Sequence, residues 1–576
     1  MPSVIEELKT CLDELSLEYE IEEVNYIPQA KKKIETQLPV WRLLIQAEIN
    51  GLSTNVDLFL VFPKGFPYEM PYAIVPDNRF KILPHISTKD RKVCLYEDGI
   101  TYDAKNIRGM IRDTIKRTRL WLEKYASCDN TAEYAREIIS YWNEQYDGET
   151  VVDDTSVFFG DIPASVCELK GLVYTIKSSK NNKDYIQQVF YSLGDDSNEI
   201  TFLRENYDVR EIAVLYLPSI VIPTVPPFSL TGQQLADAIK NKDEKKFFRR
   251  FINKCGCGYV LFPIGLHHVL GGVYIGRQTL RRRGFSRPVE TYTVLTEFEG
   301  RVKKISRLSV YKYSGERIAE RTAGKMMEEK NFLIAGIGSI GSNLCYYLNG
   351  YNNARFTLID TDSLNIENMG RHLLGYSYLN QNKACAMAHY LKQYRPDREV
   401  TAITESFLEV SLDILNEGNA MFLCTGDIMT EKWLLDKMIS KEISTPAFIL
   451  WVEPYAISGI MIYVNPADKA SLARLAQMAD DSFLNLCLID RKEYASGQKL
   501  IHRDAGCNGM YSLYSANDIT LFLSAMFPLI DDLLLIPSES KCYQWSGNIE
   551  IAEQKGIRLT ASSEGKKKND VTQLQI

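Results

Sequence analysis

A glycine-rich turn in the second half of the chain has the residue types of a nucleotide site. Its glycines are Gly336, Gly338 and Gly341, in a G-x-G-x-x-G pattern between the apolar strand Phe332–Ala335 and the helix Ser342–Leu348. Backbone N–H groups at the start of such a helix can hold a phosphate. Asp360 follows the next strand, Phe356–Ile359. A carboxylate there can accept the ribose hydroxyls, so we expect a bound nucleotide.

Polar residues further along indicate which chemistry the nucleotide undergoes. Asn368 and Arg371 stand three apart after the second strand, and Lys383 follows twelve residues later. Cationic groups aimed at the phosphates suit a nucleotide that is being cleaved, because phosphorus chemistry concentrates negative charge that hydride transfer never develops. Asp427 follows the apolar run Met421–Cys424, where a carboxylate can associate with magnesium. The set favours an ATP-splitting enzyme over a dehydrogenase.

This constellation resembles the adenylating enzymes of the ubiquitin-activating, molybdopterin and thiamin sulfur-carrier superfamily, the ThiF/MoeB type. The resemblance implies a Rossmann-like domain that uses ATP and Mg²⁺ to adenylate a carboxylate. It also implies roles at the matching positions of this chain. ATP would be held by the three glycines and Asp360 and its phosphates by Arg371 and Lys383, with Asn368 beside them, while Asp427 would bind magnesium.

Length, net charge and the distribution of apolar residues restrict the classes of protein to which the chain can belong. A chain of 576 residues has room for three or four domains. Its net charge of −7 gives no broad attraction to nucleic acid. No apolar run reaches the roughly 20 residues that span a bilayer, and the first twenty residues have no apolar signal core. We therefore expect a cytoplasmic, multidomain enzyme with no nucleic-acid or membrane partner and with reduced cysteines.

The first 150 residues have a different pattern. An amphipathic helix and two strands precede the proline-punctuated segment Phe62–Pro76, and then come His85, the triplet Val93-Cys94-Leu95 and a helix from about Asn106 to Tyr125. This order resembles the α+β fold of ubiquitin-conjugating enzymes, and the resemblance implies that Cys94 carries an acyl group as a thioester. The alternative is that Cys94 is a structural cysteine in a strand.

One departure from the conjugating family concerns the loop before Cys94. The usual His-Pro-Asn triplet is replaced by Pro84-His85-Ile86-Ser87. Without the asparagine amide, another donor must serve the oxyanion, or transfer proceeds with less help; losing one such donor costs about 3 kcal/mol. His85 is either catalytic or a loop residue that packs the segment.

A second reactive thiol is expected near the nucleotide. Cys507 lies in the glycine-flanked stretch Asp504–Gly509, shortly before a helix whose positive end can favour a thiolate. Related enzymes carry their acyl-accepting cysteine on a loop above the nucleotide, so Cys507 is the first candidate and Cys487 the second. Arg317 and Arg321 precede the glycine turn; in this family such an arginine often reaches the ATP of a partner subunit, which would require a homodimer.

These patterns predict an α/β multidomain protein with four parts. They are a ubiquitin-conjugating-like domain over 1–150, a linker and α/β scaffold over 151–311, a ThiF-type adenylation domain over 312–560 and a disordered tail over 561–576. The middle part also admits an inactive adenylation-like domain.

The two ends together resemble the fused activating and conjugating enzymes of bacterial CBASS anti-phage operons. The resemblance implies a route in which ATP activates the C-terminal carboxylate of a protein, Cys507 and then Cys94 carry the acyl group, and a target amine accepts it. It also implies that the activated protein is a CD-NTase, a cGAS-like nucleotidyltransferase. Two alternatives are adenylation of a sulfur carrier or another ubiquitin-like protein, and a catalytically dead binding scaffold.

Overall fold

The protein is described here by a computed structural model. It describes residues 2–21, 26–27, 32–33, 36, 38–96, 101–144, 150–151, 156–177, 185–223, 225–228, 230–264, 269–277, 280, 289–298, 305–323, 329–497, 499–500, 502–503, 510–511, 513–536 and 538–576. These residues form two compact units: residues 1–193 with 207–313, and residues 194–206 with 314–576.

The N-terminal region is an antiparallel sheet packed on helices. Its elements are α1 (Pro2–Glu14), β1 (Glu18–Ile21), β2 (Tyr26–Ile27), β3 (Lys32–Lys33), β4 (Trp41–Ile49), β5 (Leu52–Val61), β6 (Tyr72–Ile74), α2 (Ile107–Tyr125), α3 (Thr131–Arg136) and α4 (Ile138–Asn143). Strands β1, β4, β5 and β6 pair in that order. Alternate residues of β4 are buried, as expected of a strand with one face on a core, and that core includes Leu8, Ile111 and Leu122.

The middle region is a closed sheet. Its elements are β7 (Thr150–Val151), β8 (Ser156–Phe159), β9 (Cys167–Ile176), β10 (Tyr185–Tyr191), α5 (Asn198–Asn206), β11 (Arg210–Tyr216), α6 (Gly232–Ala238), α7 (Lys242–Cys255), β12 (Gly258–Pro263), β13 (Val269–Ile275), α8 (Thr291–Glu297) and β14 (Ile305–Tyr313). The order β13-β12-β11-β9-β10-β8-β14 is closed by pairing of β13 with β14. Helix α5 belongs to the second unit.

Side-chain alternation shows that this sheet is a filled barrel. Val214 and Tyr216 of β11 share one core with Phe158, Phe190 and other residues from around the ring, while Leu215 faces a second core with residues of α4, α6 and α7. The Rossmann-like domain that the resemblance implies has instead an open, mostly parallel sheet. The topology therefore does not support the alternative of an inactive adenylation-like domain in this region.

The C-terminal region has the expected parallel sheet. Its elements are α9 (Gly315–Ala323), β15 (Lys330–Ala335), α10 (Ser339–Leu348), β16 (Ala354–Ile359), α11 (Lys383–Tyr394), β17 (Val400–Ile403), α12 (Leu412–Asn416), β18 (Ala420–Leu423), α13 (Ile428–Ile439), β19 (Ala447–Val452), β20 (Ser458–Val464), α14 (Lys469–Asp480), α15 (Arg491–Ser496), β21 (His502–Arg503), β22 (Met510–Tyr511), α16 (Ala516–Leu535), β23 (Lys541–Ser546), α17 (Ile549–Lys555) and β24 (Val571–Leu574). The order is β17-β16-β15-β18-β19-β20-β23-β24, parallel from β17 to β19 and antiparallel beyond.

Both faces of this sheet are covered. Phe332 and Ile334 of β15 belong to a core with α10, α11 and α16. Leu333 and Ala335, which point the other way, belong to a core with α13 and α14. A strand buried on both faces reads as a continuous apolar run, as the sequence of β15 does. Polar residues of a binding site are therefore expected at the carboxyl ends of the parallel strands.

The prediction of a disordered tail over 561–576 is wrong. Strand β24 pairs with β23 from Cys542↔Leu574 to Trp545↔Val571. Arg474 also donates to the carbonyl oxygen of Ile576, at 2.8 Å. The polar composition of the segment misled the prediction, because exposed residues alternate with partly buried ones along β24, as on a sheet with one face toward solvent.

Arg398 fixes the loop that leads into β16. Its side chain is 2% exposed, and its guanidinium donates to four backbone carbonyls, those of Asn349, Tyr351, Asn352 and Ala354. A buried guanidinium is tolerated when its donors are all satisfied in this way.

We expect Arg398→Met to destabilise the second unit by about 3–5 kcal/mol, because four carbonyl oxygens lose a charged donor. The exposed Arg355→Met, which breaks surface ion pairs with Glu329 and Glu399, should cost about 1 kcal/mol or less. Urea unfolding of the full chain, with hydrogen exchange of segment 349–357, measures both. Equal effects of the two substitutions would contradict this role.

Candidate functional site

The glycine turn is packed too tightly for side chains. Gly336 has φ +82°, and a Cβ there would lie 2.7 Å from the backbone nitrogen of Thr425. A Cβ on Gly341 would collide with the carbonyl oxygen of Gly336, whereas one on Gly338 would meet nothing within 4 Å. Gly336 thus lets the turn approach the residues after β18, and Gly341 lets the start of α10 pack on Gly336. Gly338, which precedes α10, leaves the space above the helix open.

Asp360 holds this turn in place. One carboxylate oxygen accepts the N–H of Ile337 at 2.6 Å and the other accepts the N–H of Asp362 at 2.8 Å. Burial raises the pKa of this carboxyl, and the two backbone hydrogen bonds oppose that rise. The sequence suggested only a ribose contact. Each carboxylate oxygen has a second acceptor position, so the fixed turn and a ribose contact are compatible.

A cavity of about 390 Å³ lies at the ends of β15, β18 and β19, and it brings together four of the predicted residues. Gly338, Asn368, Arg371 and Lys383 all line it. The Lys383 ammonium is 2.9 Å from a carboxylate oxygen of Asp362, and its side chain is only 10% exposed. Residues that are distant in sequence therefore place two cations and a helix N-terminus around one space, which suits a polyphosphate.

Tyr514 is a wall residue that sequence reasoning missed. The Arg371 guanidinium lies 5.0 Å from the centre of its ring, and its hydroxyl is 2.9 Å from the hydroxyl of Ser339. A cation over an aromatic face is attracted by the ring. Tyr514 therefore positions the Arg371 cation from one side and contacts α10 from the other. It lies just before α16, and no spacing signal relates it to the turn.

His372 was also missed, although it follows Arg371 directly. It is 7% exposed, and its Nε2 is 2.8 Å from the carbonyl oxygen of Ile337. The N–H of Leu374 donates to Nδ1 at 3.1 Å. We assign the neutral tautomer with the proton on Nε2, because Nδ1 must accept. Burial lowers the pKa of His372 to about 4, so this ring supports the glycine turn as a neutral group.

Asp427 lies in a neighbouring cavity of about 440 Å³. The two cavities share Gly426, Trp451 and Val452 as wall residues. The Asp427 carboxylate caps α13 by accepting the N–H groups of Met429 and Thr430, and hydrogen bonds lower its pKa. An exposed, ionised carboxylate next to the cavity of Arg371 and Lys383 fits a hard divalent cation, so the residue types agree with the predicted magnesium role.

Two further acids line this second cavity. Burial, followed by the charge of Asp427, raises the pKa of Glu431 to about 7. Glu453 is 1% exposed, and its two oxygens accept the N–H groups of Leu488 and Ile489 and the hydroxyl of Tyr494. Glu453 thus fixes the chain after α14, which includes Cys487.

Cys507, the first candidate for the acyl-accepting thiol, lies outside the described residues. Cys487, the second candidate, lines the cavity of Asp427 and is 4% exposed. Burial and the charge of Glu453 raise the pKa of its thiol. Only a thiolate is an effective nucleophile, so the environment of Cys487 is unfavourable for the acyl-accepting role.

The Cys94 thiol lies in a separate site in the first unit. Cys94 is exposed and lines a cavity of about 400 Å³ with His85, Glu137 and Glu144. Its backbone N–H donates to the carbonyl oxygen of His85 at 2.8 Å. An antiparallel bridge between Ile86 and Val93 adds to this contact. Cys94 is exposed and lies outside the strands, which argues against the alternative of a structural cysteine in a strand.

Helix α9 carries Arg317 and Arg321, the two arginines suggested for action in a partner subunit. Arg321 is exposed and Arg317 half-buried. Their role stays a prediction.

Two family models match the chain. The prokaryotic E2 family B matches residues 26–151, which hold Cys94 and its cavity. The ThiF family matches residues 316–495, which hold the glycine turn, Arg371, Lys383 and Asp427. The chain therefore fuses an E2-like domain to a ThiF-like domain, both of enzyme families, and the expected fold class is confirmed for the two ends.

Two curated relatives bear the name ATP-dependent ubiquitin transferase-like protein Cap2. The protein from Pseudomonas aeruginosa (strain BWHPSA011 / Pa011) is 31% identical over 156 residues, which are 26% of this chain and 28% of the relative. The protein from Enterobacter hormaechei subsp. hoffmannii (strain UCI 50) is 30% identical over 113 residues, 19% of each chain. The matched segments thus span less than a third of either relative.

Solved structures give a more distant likeness. The structure of PaaA has a TM-score of 0.28 and 13% identity, over 40% of this chain and 62% of that one. Escherichia coli MccB, solved with ATP, has a TM-score of 0.27 and 12% identity over the same shares. At these TM-scores the likeness carries no argument about this chain.

Among the described residues, no helix is both long and apolar enough to cross a membrane.

We expect the buried His372 to make the second unit sensitive to acid. Its folded pKa of about 4 lies below the ordinary value of 6.5, so the unfolded chain binds the proton first. This contribution to stability is therefore present above pH 6.5 and is lost as the pH falls toward 4, by up to about 3 kcal/mol.

Urea unfolding of the parent and of His372→Gln between pH 4 and pH 7 measures this component. The variant should be less stable at pH 7 and should lose less stability on acidification. His389→Gln, at a half-buried position on α11, is the matched control. Parallel pH profiles for the parent and His372→Gln would show that His372 is not the acid-sensitive group.

Proposed function

We propose that this chain activates the C-terminal carboxylate of a protein with ATP and ligates it to a target amine. The proposal depends on two sites in one chain. Arg371 and Lys383 share one cavity with the glycine turn, and the exposed Cys94 thiol lies in an E2-like domain. The first site suits cleavage of ATP, and the second suits transfer of an activated acyl group. Neither a dehydrogenase nor a binding scaffold accounts for both.

The first step is adenylation. A carboxylate oxygen of the protein substrate attacks the α-phosphorus of ATP, an acyl adenylate forms, and pyrophosphate leaves. With ATP in their cavity, the cations of Arg371 and Lys383 would stabilise the negative charge that develops on the phosphates in the transition state. Magnesium held by Asp427 would neutralise further phosphate charge.

The later steps conserve the activation as thioesters. The thiolate of Cys507 attacks the acyl carbon and AMP leaves; the thiol of Cys94 then takes the acyl group and Cys507 is released. An amine finally attacks the Cys94 thioester to form an amide. A thioester keeps the carbonyl carbon electrophilic toward amines, and the fusion of two domains raises the effective concentration of one thiol near the other.

The acyl partner in this proposal is a nucleotidyltransferase of the CD-NTase class. The resemblance of both ends to fused enzymes of anti-phage operons supports it. The name of the partial relatives, ubiquitin transferase-like protein, agrees with the transfer chemistry. The target is a protein amine, and the site of action is the cytoplasm. If Arg317 or Arg321 reaches the ATP of a second copy, the active form is a homodimer.

We expect Lys383→Met to lower ATP–pyrophosphate exchange about a hundredfold or more, because it removes a cation from the phosphate cavity. A purified CD-NTase with a free C-terminus is the carboxylate donor, and the same protein with an amidated C-terminus is the blank. Lys392→Met, on the same helix but at its last turn, should keep parental exchange. Exchange that needs no carboxylate donor, or that survives Lys383→Met, would contradict the adenylation step.

A non-reducing gel of chains incubated with ATP, Mg²⁺ and labelled donor tests the order of the thiols. Cys94→Ala should retain an adduct that thiols remove, because Cys507 still accepts the acyl group, whereas Cys507→Ala should have none on either cysteine. Cys385→Ala, at an exposed cysteine on α11, is the control and should behave as the parent. Charging of Cys94 in the Cys507→Ala chain would rule out Cys507 as the first acceptor.

A further inference from the structure

His85 has a carboxylate beside each of its ring nitrogens. Its Nε2 is 3.3 Å from an oxygen of Glu133, and its Nδ1 is 3.8 Å from an oxygen of Glu137. Both acids lie on the helical segment that follows α2, about fifty residues from the histidine. The fold thus places the His85 side chain between two carboxylates at the edge of the Cys94 cavity.

The two ring nitrogens differ in what they can do. The Nε2 contact is within hydrogen-bond distance, so we assign the proton of the neutral ring to Nε2, donated to Glu133. The Nδ1 contact is longer than a hydrogen bond, so Nδ1 keeps its lone pair. The lining of the cavity includes His85 and Glu137 but not Glu133. Glu133 therefore binds the ring on the side away from the cavity. Nδ1, which faces Glu137, is the nitrogen on the cavity side.

The position of Glu137 is itself fixed by hydrogen bonds. The hydroxyl of Tyr141 donates to the Glu137 carboxylate at 3.3 Å, and the backbone N–H of His85 donates to that hydroxyl, also at 3.3 Å. Tyr125 adds a ring contact to the imidazole, with ring centres 5.3 Å apart. The side chain of His85 is 25% exposed. The ring is thus oriented from three sides and remains open toward the cavity.

Cys94 is the cavity neighbour of this ring. The backbones of the two residues are joined by the hydrogen bond from the Cys94 N–H to the His85 carbonyl oxygen, and both side chains line the same cavity. A thiol, an imidazole and a carboxylate that orients the imidazole form the constellation in which a base serves a covalent intermediate. Here the intermediate is the thioester of the proposed function.

We infer that His85 accepts the proton of the amine that attacks the Cys94 thioester, with Glu133 as its positioning residue. This inference rests on the proposed function at Cys94. A primary amine that adds to a thioester carbonyl must lose a proton before the amide is formed, and a positioned base supplies that path.

The step carries one proton from the amine to the leaving sulfur by way of His85. The nitrogen lone pair of the amine forms a bond to the thioester carbon, and one N–H proton moves to Nδ1 of His85. The C–S bond breaks, the sulfur of Cys94 leaves as a thiolate, and the imidazolium returns the proton to it. Glu133 and Glu137 flank the imidazolium while it carries the extra proton. The products are an amide and the free Cys94 thiol, and the ring is neutral again.

The same three side chains are close enough to be considered as metal ligands. One observation favours a base instead. Arg136 lies 2.5 Å from the Glu133 oxygen that contacts His85, and a guanidinium there repels a cation.

Several charged or titratable groups share the surroundings of His85. They are Asp90 and Lys92 of the segment between His85 and Cys94, Tyr125 and Lys124 at the end of α2, and Glu133, Arg136, Glu137, Tyr141 and Glu144 after it. The pH dependence of transfer therefore has to be compared between variants that differ in one of these groups only.

A peptide α-thioester exchanged chemically onto Cys94 of the full chain tests the inference without adenylation. The rate of peptide release by lysine or by hydroxylamine is measured between pH 6.5 and 9, in the presence of a chelator. The Cys94→Ala chain gives the background from other cysteines. Hydroxylamine is unprotonated at neutral pH and attacks without a base, so it reports on the thioester and the fold alone.

We expect His85→Asn to slow release by lysine about a hundredfold and to leave release by hydroxylamine close to the parental rate. Asparagine tolerates the φ of +61° at this position. Glu133→Gln should slow the lysine reaction and move the pH at which it reaches half its maximum. The control Asp57→Asn, which removes a carboxylate on β5 that pairs with Arg42, should match the parent with both nucleophiles.

Three results would overturn the inference. Equal slowing with lysine and hydroxylamine would make His85 a structural residue. Parental rates with lysine in the His85→Asn chain would leave it without a role. Release by the parent chain that requires a divalent cation in place of the chelator would make the cluster a metal site. By contrast, a chain that aminolyses the exchanged peptide but never charges Cys94 with ATP refutes the proposed function upstream and keeps His85 as the base.

Discussion

The second unit depends on how closely the glycine turn approaches the end of β18. Gly336 lies against the backbone of Thr425 and Gly341 against the carbonyl of Gly336, at separations that leave no room for a Cβ. Two side chains and the flanking strands hold this arrangement. The carboxylate of Asp360 accepts the N–H of Ile337, and Nε2 of His372 donates to the carbonyl oxygen of Ile337. Both backbone polar groups of Ile337 are therefore bound, the N–H by Asp360 and the carbonyl by His372. These contacts hold the backbone of the turn in the conformation that it presents to a phosphate.

That constraint explains why the cations gather where they do. The parallel half of the sheet ends its strands at one edge, and the turns after β15, β16 and β18 must all pass over it. Arg371 and Lys383 lie in and after the long connection from β16 to α11, which is bound to the turn at His372 and by Asn382 to the Asp360 carbonyl. The charge in the cavity is therefore a consequence of the same contacts that fix the turn. An isolated G-x-G-x-x-G pattern specifies none of it.

The sequence predicted those features that are encoded locally. The glycine turn, the strands of the parallel sheet and the loop of Cys94 follow from apolar runs, turn residues and spacing. Non-local features were missed. Closure of the barrel depends on the pairing of β13 with β14, and β24 is a strand only because β23 offers it an edge. The roles of His372, Tyr514 and Glu133 come from contacts between distant segments, and their residue types alone gave no signal.

The described cysteines show how environment separates residues of one type. Cys487 lines a cavity beside acids, but burial and the negative charge of Glu453 raise the pKa of its thiol, so the cavity disfavours the reactive form. Burial raises the pKa of the Cys424 thiol, and burial followed by the neighbouring Cys424 raises the pKa of the Cys345 thiol. Cys94 is exposed, and its neighbours include an imidazole and a cation, Lys92. A thioester needs an attacking group to reach its carbonyl from solvent, and an amine needs a base beside it. Of these four thiols, Cys94 alone is exposed and has a positioned imidazole in its cavity, so the physical chemistry of the site itself, beyond the likeness of the domain, favours acyl transfer there.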